Sequence, residues 1–282
     1  MIVLNELEYA EQCIKNHYID KPYPTLSILA KYYYFHLGHT KKEVIDDLTE
    51  FISTNYVKYQ SEHRYWDEVI EKLSNKVDKY TLYEIAGVWI TEDELNTIQN
   101  IKNDTLERIA FTLLCLAKLA NMKNEKSNGW VNDSAKDIFS LARVSATTVK
   151  KYELLGELYN LGLIELPKRN DVLSYRVTFI NADSKNELFI HDFRELGYEY
   201  LKYKGQSFIR CAECGILTRS NKNGTKRYCS KCAAYTPKAT KTITCIDCGK
   251  IFEVPGNNKR TIRCKNCQSE YVKKYDRKRK IG

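Results

Sequence analysis

The chain has 282 residues, of which 43% are hydrophobic and 29% charged, with a net charge of +9. That length suits two or three domains rather than one small core. No stretch approaches the roughly 18 consecutive apolar residues of a membrane helix. The opening "MIVLNELEYAEQCIKNHY" has no basic n-region and carries acids early, so it is not expected to act as a secretory leader. The expected compartment is the cytoplasm, where thiols stay reduced.

The net charge conceals a split. Residues 204–282 carry 20 Lys+Arg against 5 Asp+Glu, and residues 1–203 carry 25 against 31. The asymmetry points to one part for polyanions and another for something else.

Residues 1–103 read as a helical, slightly acidic domain. "TLSILAKYYYFHLG" has apolar residues at helical spacing and stops at Gly38. Thr40 with Glu43, and Thr91 with Glu94, each form a capping box ahead of an apolar-periodic run. The run Tyr32–Phe35 reads as part core and part surface, and His36 and His39 as incidental. The clusters Asp46-Asp47-Glu50 and Glu92-Asp93-Glu94 read as helix caps and solvated faces.

Residues 104–203 form a second expected domain. "DTLERIAFTLLCLAKLANM" is a strongly apolar helix, and Cys115 within it reads as a small buried hydrophobe. "SAKDIFSLARV" is a short helix. "SATTVKKYELLGELYNLGLIEL" is a third helix, capped by Ser145, that runs into a strand. "LIELPKRNDVLSYRVTFI" reads as two strands around the turn "KRND". Over about 75 residues, and most clearly in "ARVSATTVKKYELLGELYNLGLIEL", this order resembles a winged helix. The resemblance implies base-edge contacts from the start of the third helix and backbone contacts from the wing. By position these fall on Thr147, Thr148, Lys150 and Lys151, with Lys168 and Arg169 on the wing. Glu153 and Glu157 follow closely, and winged helices also serve as protein-interaction modules, since fold alone does not fix function.

Eight of the ten cysteines form four CxxC pairs: Cys211/Cys214, Cys229/Cys232, Cys245/Cys248 and Cys264/Cys267. The gaps between them are 14, 12 and 15 residues. The segment repeats itself, because "CAECGILTRSNKNGTKRYCSKC" aligns with "CIDCGKIFEVPGNNKRTIRCKNC". Each unit reads as a CxxC turn, a strand, a polar turn, a basic return strand and a second CxxC turn. Four thiolates at this spacing suit a closed tetrahedral Zn²⁺ site, which is structural because no position stays open for substrate. The middle pairs could instead share one ion, although the repeat argues against it. A redox CxxC needs a βαβ context that is absent here.

Residues 208–268 resemble zinc ribbons, which implies two structural zinc ions, at 204–240 and 241–270, and a binding surface on the hairpins. Four thiolates per Zn²⁺ would leave the C-terminal part at about +11. The hairpins supply Arg219, Lys226, Arg227, Lys259, Arg260 and Arg263. The tail 271–282 adds Lys273, Lys274, Arg277 and Arg279. Such cations contact phosphate and give affinity without sequence specificity.

There is no P-loop, GxSxG, HExxH or GxGxxG. The expected fold class is α+β, mainly α. The whole arrangement is similar to regulatory proteins of phages and prophages in low-GC Gram-positive bacteria. The reading as a whole is a non-enzymatic, DNA-associated regulator with no small-molecule substrate evident, and the likeness implies a partner that is DNA or a phage or host protein already on DNA. An alternative is an accessory factor that docks on a DNA-bound enzyme, for instance a recombination directionality factor on a serine integrase. A nuclease built from scattered carboxylates is a third class.

Overall fold

The computed structural model describes residues 2–19, 21–168, 174–235, 240–255, 258 and 260–279. The chain is α+β and mainly α, with small antiparallel sheets. It divides into two compact units, one of residues 1–211 and 215–227, the other of residues 212–214 and 228–282. Among the described residues, no helix is long and apolar enough to cross a membrane.

The first unit opens with α1 (Glu6–Asn16), where the Asn5 side chain accepts from the Glu8 N–H at 3.0 Å. Pro at the first turn starts α2 (Pro22–Lys31), since its missing N–H costs nothing there. A π-helical turn, Tyr32–His36, follows, and the chain leaves it through Gly38 at φ +74°. Tyr32 and Tyr33 are buried while Phe35 is exposed, so the aromatic run is divided between core and surface. In α3 (Lys41–Asn55) the expected capping box is present. The Glu43 N–H donates to Thr40 Oγ1 at 3.3 Å, and the Thr40 N–H donates to Glu43 Oε2 at 2.7 Å. Helix α4 (Tyr59–Asn75) packs on α3, and a first core forms from residues such as Leu26, Leu48, Ile52 and Ile70.

A second core begins at β1 (Val88–Thr91) and α5 (Glu92–Gln99) and centres on α6 (Asp104–Lys123). Nearly every residue of α6 from Leu106 to Ala117 is buried, which explains why it shows no polar stripe. Cys115 is fully buried, and burial holds its thiol well above its usual range. The first core draws on residues from Ala10 to Val77 and the second on Leu4 and residues from Ile85 onward, so β1 and α5 pack with α6.

Around α6 lie β2 (Trp130–Val131), α7 (Ala135–Leu141), α8 (Thr148–Asn160), β3 (Ile164–Glu165) and β4 (Tyr175–Val177). The strands form an antiparallel sheet in the order β2-β4-β3, with Val131 opposite Tyr175 and Ile164 opposite Val177. Helix α8 starts two residues later than the sequence implies. Thr147, not Ser145, is the N-cap, and its hydroxyl accepts from the Lys150 N–H at 3.3 Å.

Strand β5 (Asn186–Ile190) pairs antiparallel with β1, and α9 (Leu196–Tyr203) closes the core. At the start of α9, Gly197 lies against the end of α7. A Cβ there would sit 1.9 Å from the Ala142 carbonyl oxygen. Backbone on both sides leaves nothing flexible to yield, so Gly197→Ala is expected to destabilise the first unit by about 3 kcal/mol. Urea denaturation of the variant measures this, and a loss within error of zero would show that α9 shifts freely.

Candidate metal centres and cationic surface

Strands β6 (Phe208–Arg210) and β7 (Leu217–Arg219) pair antiparallel, and the first CxxC forms their turn. The short helix α10 (Ser230–Tyr235) begins at the second CxxC. The pattern repeats downstream, with β8 (Thr240–Thr244) and β9 (Ile251–Pro255) flanking the third CxxC and α11 (Lys265–Arg279) beginning at the fourth.

The hydrogen bonds repeat as well. In the first turn the Cys211 N–H donates to the Ile216 carbonyl at 2.9 Å, and the Gly215 N–H donates to the Cys211 carbonyl at 2.8 Å. In the third, Cys245 bonds Lys250 at 2.9 Å and Gly249 bonds Cys245 at 3.0 Å in the same way. Gly215 at φ +68° and Gly249 at φ +70° turn the chain where a side chain would be strained. The first helical turns also match, through Ala233 N–H to the Cys229 carbonyl and Gln268 N–H to the Cys264 carbonyl, both at 2.9 Å.

This arrangement corrects the expected strand positions. One strand of each pair, β7 or β9, lies after the first CxxC as expected, but its partner precedes that CxxC, which itself makes the hairpin turn, instead of returning toward the second CxxC. Among the described residues the expected return strands are irregular. Asn221 and Asn258 shape them by accepting backbone N–H groups two to five residues ahead. The basic end is helical through Arg279, so α11 runs across residue 270 without a break.

Each repeat gathers its four sulfurs. The Cys211, Cys214, Cys229 and Cys232 set, and the Cys245, Cys248, Cys264 and Cys267 set, each lie within 4.8 Å of one another. The grouping is within repeats, so the alternative pairing of the middle cysteines is not adopted. Cys214 and Cys229 sulfurs are 3.8 Å apart, and Cys248 and Cys264 sulfurs 3.7 Å. Disulfides need about 2.05 Å. A tetrahedral ion with metal–sulfur bonds of roughly 2.3 Å spaces its sulfurs by about 3.8 Å. The donor set therefore fits two four-thiolate metal sites.

At the second site backbone N–H donors favour thiolate at Cys245, while the neighbouring sulfurs of Cys248 and Cys264 hold the Cys267 thiol up. The Cys264 N–H donates to Cys245 Sγ at 3.3 Å, and this bond leads those that pull the Cys245 thiol down to about 6. At the first site the Cys232 N–H donates to Cys229 Sγ at 3.5 Å. Burial alternates identically in the two sets, with the first and third cysteine buried and the second exposed.

The cations expected to contact DNA fall into distinct groups. Lys150 pairs with Glu153 at 3.0 Å and Glu157 at 3.8 Å, and Lys151 lies over the Phe139 ring. Arg219 lies over the Tyr198 and Phe208 rings, and Lys226 donates to Thr218 Oγ1 at 3.0 Å and the Arg219 carbonyl at 2.9 Å. Arg263 donates to Asp247 at 2.7 Å and stacks on Tyr271, 4.2 Å from the ring centroid. These residues have structural employment inside the protein. Lys168, Arg227, Arg260, Lys273 and Lys274 are exposed, as are Thr147 and Thr148. Arg169 and Lys259 lie outside the described residues, and Arg277 and Arg279 belong to α11 with side chains outside them.

Sequence reasoning missed Glu94 as more than a cap. Its carboxylate is fully buried and accepts from Lys118 Nζ at 2.7 and 2.8 Å. The signal was a lysine on an otherwise apolar helix, which needs a buried partner. No family model, curated protein or solved structure matches the chain.

Proposed function

We propose that the protein is a non-enzymatic, zinc-containing, DNA-associated regulator whose affinity for nucleic acid resides in the C-terminal repeats and α11. In each repeat the four cysteines would hold Zn²⁺, which supplies folding free energy and leaves no open position for catalysis.

The observation that carries this reading is the set of exposed cations beside two four-cysteine clusters. Residues 204–282 hold 20 Lys+Arg against 5 Asp+Glu. Helix α11 exposes Lys265, Lys273 and Lys274. Phosphate neutralisation by such residues releases counterions and binds DNA without reading bases.

The order α6, β2, α7, α8, β3, β4, with its β2-β4-β3 sheet, supports a winged-helix reading of that part of the first unit. Lys150 is neutralised by two carboxylates, and the Thr147 hydroxyl caps its own helix. Base reading from α8 is thereby weakened relative to the expectation from position alone.

The test is fluorescence anisotropy of the metal-loaded full chain on duplex DNA over a salt series. Changing Lys273 and Lys274 together to Ala should lower the slope of log K against log salt by about 2 and weaken all sequences alike. A wild-type chain that fails to bind duplex DNA at low salt, or a double variant with an unchanged slope, overturns the reading.

A further inference from the structure

We propose that the exposed face of α8 is a homodimer interface, on which a second copy of this chain packs its own α8 antiparallel. Three apolar side chains stand on that face at helical spacing: Val149 is 70% exposed, Tyr152 45% and Tyr159 49%. Leu161 and Leu166 extend the patch beyond the helix end and are also exposed. The inward face is already satisfied by Leu154, Leu155 and Leu158. A helix with two apolar faces has one more than its own core requires.

Gly156 identifies the occupant. It lies between Tyr152 and Tyr159 on the exposed face, and a Cβ added there would meet nothing within 4 Å. Glycine within a helix lowers its stability, and no contact inside this chain requires the missing side chain. Its use is room for an approaching body. An antiparallel copy centred near residue 154 places Tyr152 over Gly156 of the second copy and Val149 beside Tyr159 of the second copy.

Charge agrees with the same register. On the flank of the stripe, Lys150 sits near Glu153 and Glu157 of its own helix. In the antiparallel pair Lys150 faces Glu157 of the second copy, so Glu157 exchanges one Lys150 for another while Glu153 keeps its own. The flank is self-complementary, as a two-fold interface demands. The same carboxylates repel phosphate, which disfavours nucleic acid as the occupant. A single helix face falls short of the roughly 800 Å² per partner of a standard interface, so the association is weak and concentration-dependent.

Sedimentation equilibrium of the nuclease-treated, metal-loaded full chain measures the dimer directly, with no nucleic acid present, so its outcome is independent of the DNA-binding reading. The decisive variant is Gly156→Gln. It improves helix propensity and meets open space, so its thermal midpoint should equal or exceed that of wild type. Its side chain nevertheless blocks the approach and should weaken association by about tenfold or more. Tyr152→Glu should do the same, and the charge swap of Lys150→Glu with Glu157→Lys should restore what either single change weakens. A wild-type chain that stays monomeric at every concentration overturns the proposal. A stably folded Gly156→Gln that dimerises as wild type also overturns it, and assigns any dimer to another surface.

Discussion

Replacing Cys245 and Cys248 with Ser melts α11 and the β8–β9 hairpin while the first unit keeps its thermal transition. Helix α11 has 15 residues, and its side chains from Lys265 to Lys274 are exposed apart from Cys267. Helices of up to about 12–15 residues are marginal in water when they lack an apolar face to pack. Here the described tertiary ties are the Cys264 and Cys267 ligands at its start and the Arg263–Tyr271 stack. A structural four-thiolate zinc contributes an apparent ~10–16 kcal/mol in small domains, far more than the stack supplies. Thiolate charge at the helix start also complements the macrodipole. The variant should bind one metal ion per chain instead of two, lose amide-exchange protection across 265–279, and lose most of its affinity for duplex DNA. Chelation of the wild-type chain should reproduce the exchange result at both repeats. Protection of α11 that survives chelation would show that the metal does not hold the helix.

The metal sites were legible in the sequence because a CxxC places two sulfurs at one turn whatever surrounds it. The positions of the strands were not equally legible. Short runs such as "SFIR" and "TKTIT" precede the cysteines and carry little periodicity of their own. They become strands only because Gly215 and Gly249 fold the following residues back against them. The Thr40–Glu43 box was legible, being complete within four residues. Ser145 and Thr147 are equally good caps by type, and the choice between them rests on how the preceding turn packs.

The cationic surface was the least legible part. Lys150, Arg219, Lys226 and Arg263 have polar partners at sequence distances from 3 to 16 residues, or aromatic rings on other elements. Composition counts these charges as available to a polyanion; Glu153 and Glu157 flag Lys150 within its own helix, and only tertiary placement removes the other three. The second apolar stripe of α8 was visible in principle, since Val149, Tyr152 and Tyr159 share one side of the helix. It was hidden by the stronger Leu154, Leu155 and Leu158 stripe, which accounts for the helix without it.

Glu94→Ala should be the most damaging single change in the first unit outside the metal sites, at about 3–5 kcal/mol. The carboxylate joins three segments. It accepts from Lys118 on α6, from the Thr91 N–H at 2.8 Å at the start of α5, and from the Asn181 N–H at 3.0 Å ahead of β5. Truncation leaves the Lys118 ammonium, whose side chain is only 14% exposed, without its anion, and leaves two N–H groups without an acceptor. A buried charge stripped of its partner costs more than the pair was worth, so the loss exceeds that of an ordinary surface ion pair. Lys118→Met should also destabilise, because it leaves the buried Glu94 carboxyl without its cation. The double change Glu94→Leu with Lys118→Met should then cost clearly less than the sum of the single changes, since it removes both charges and fills the space with apolar atoms. Urea denaturation of the four proteins measures the coupling. Additive losses would mean that Glu94 acts through the backbone N–H groups that donate to it alone, as the cap of α5 that the sequence first made it.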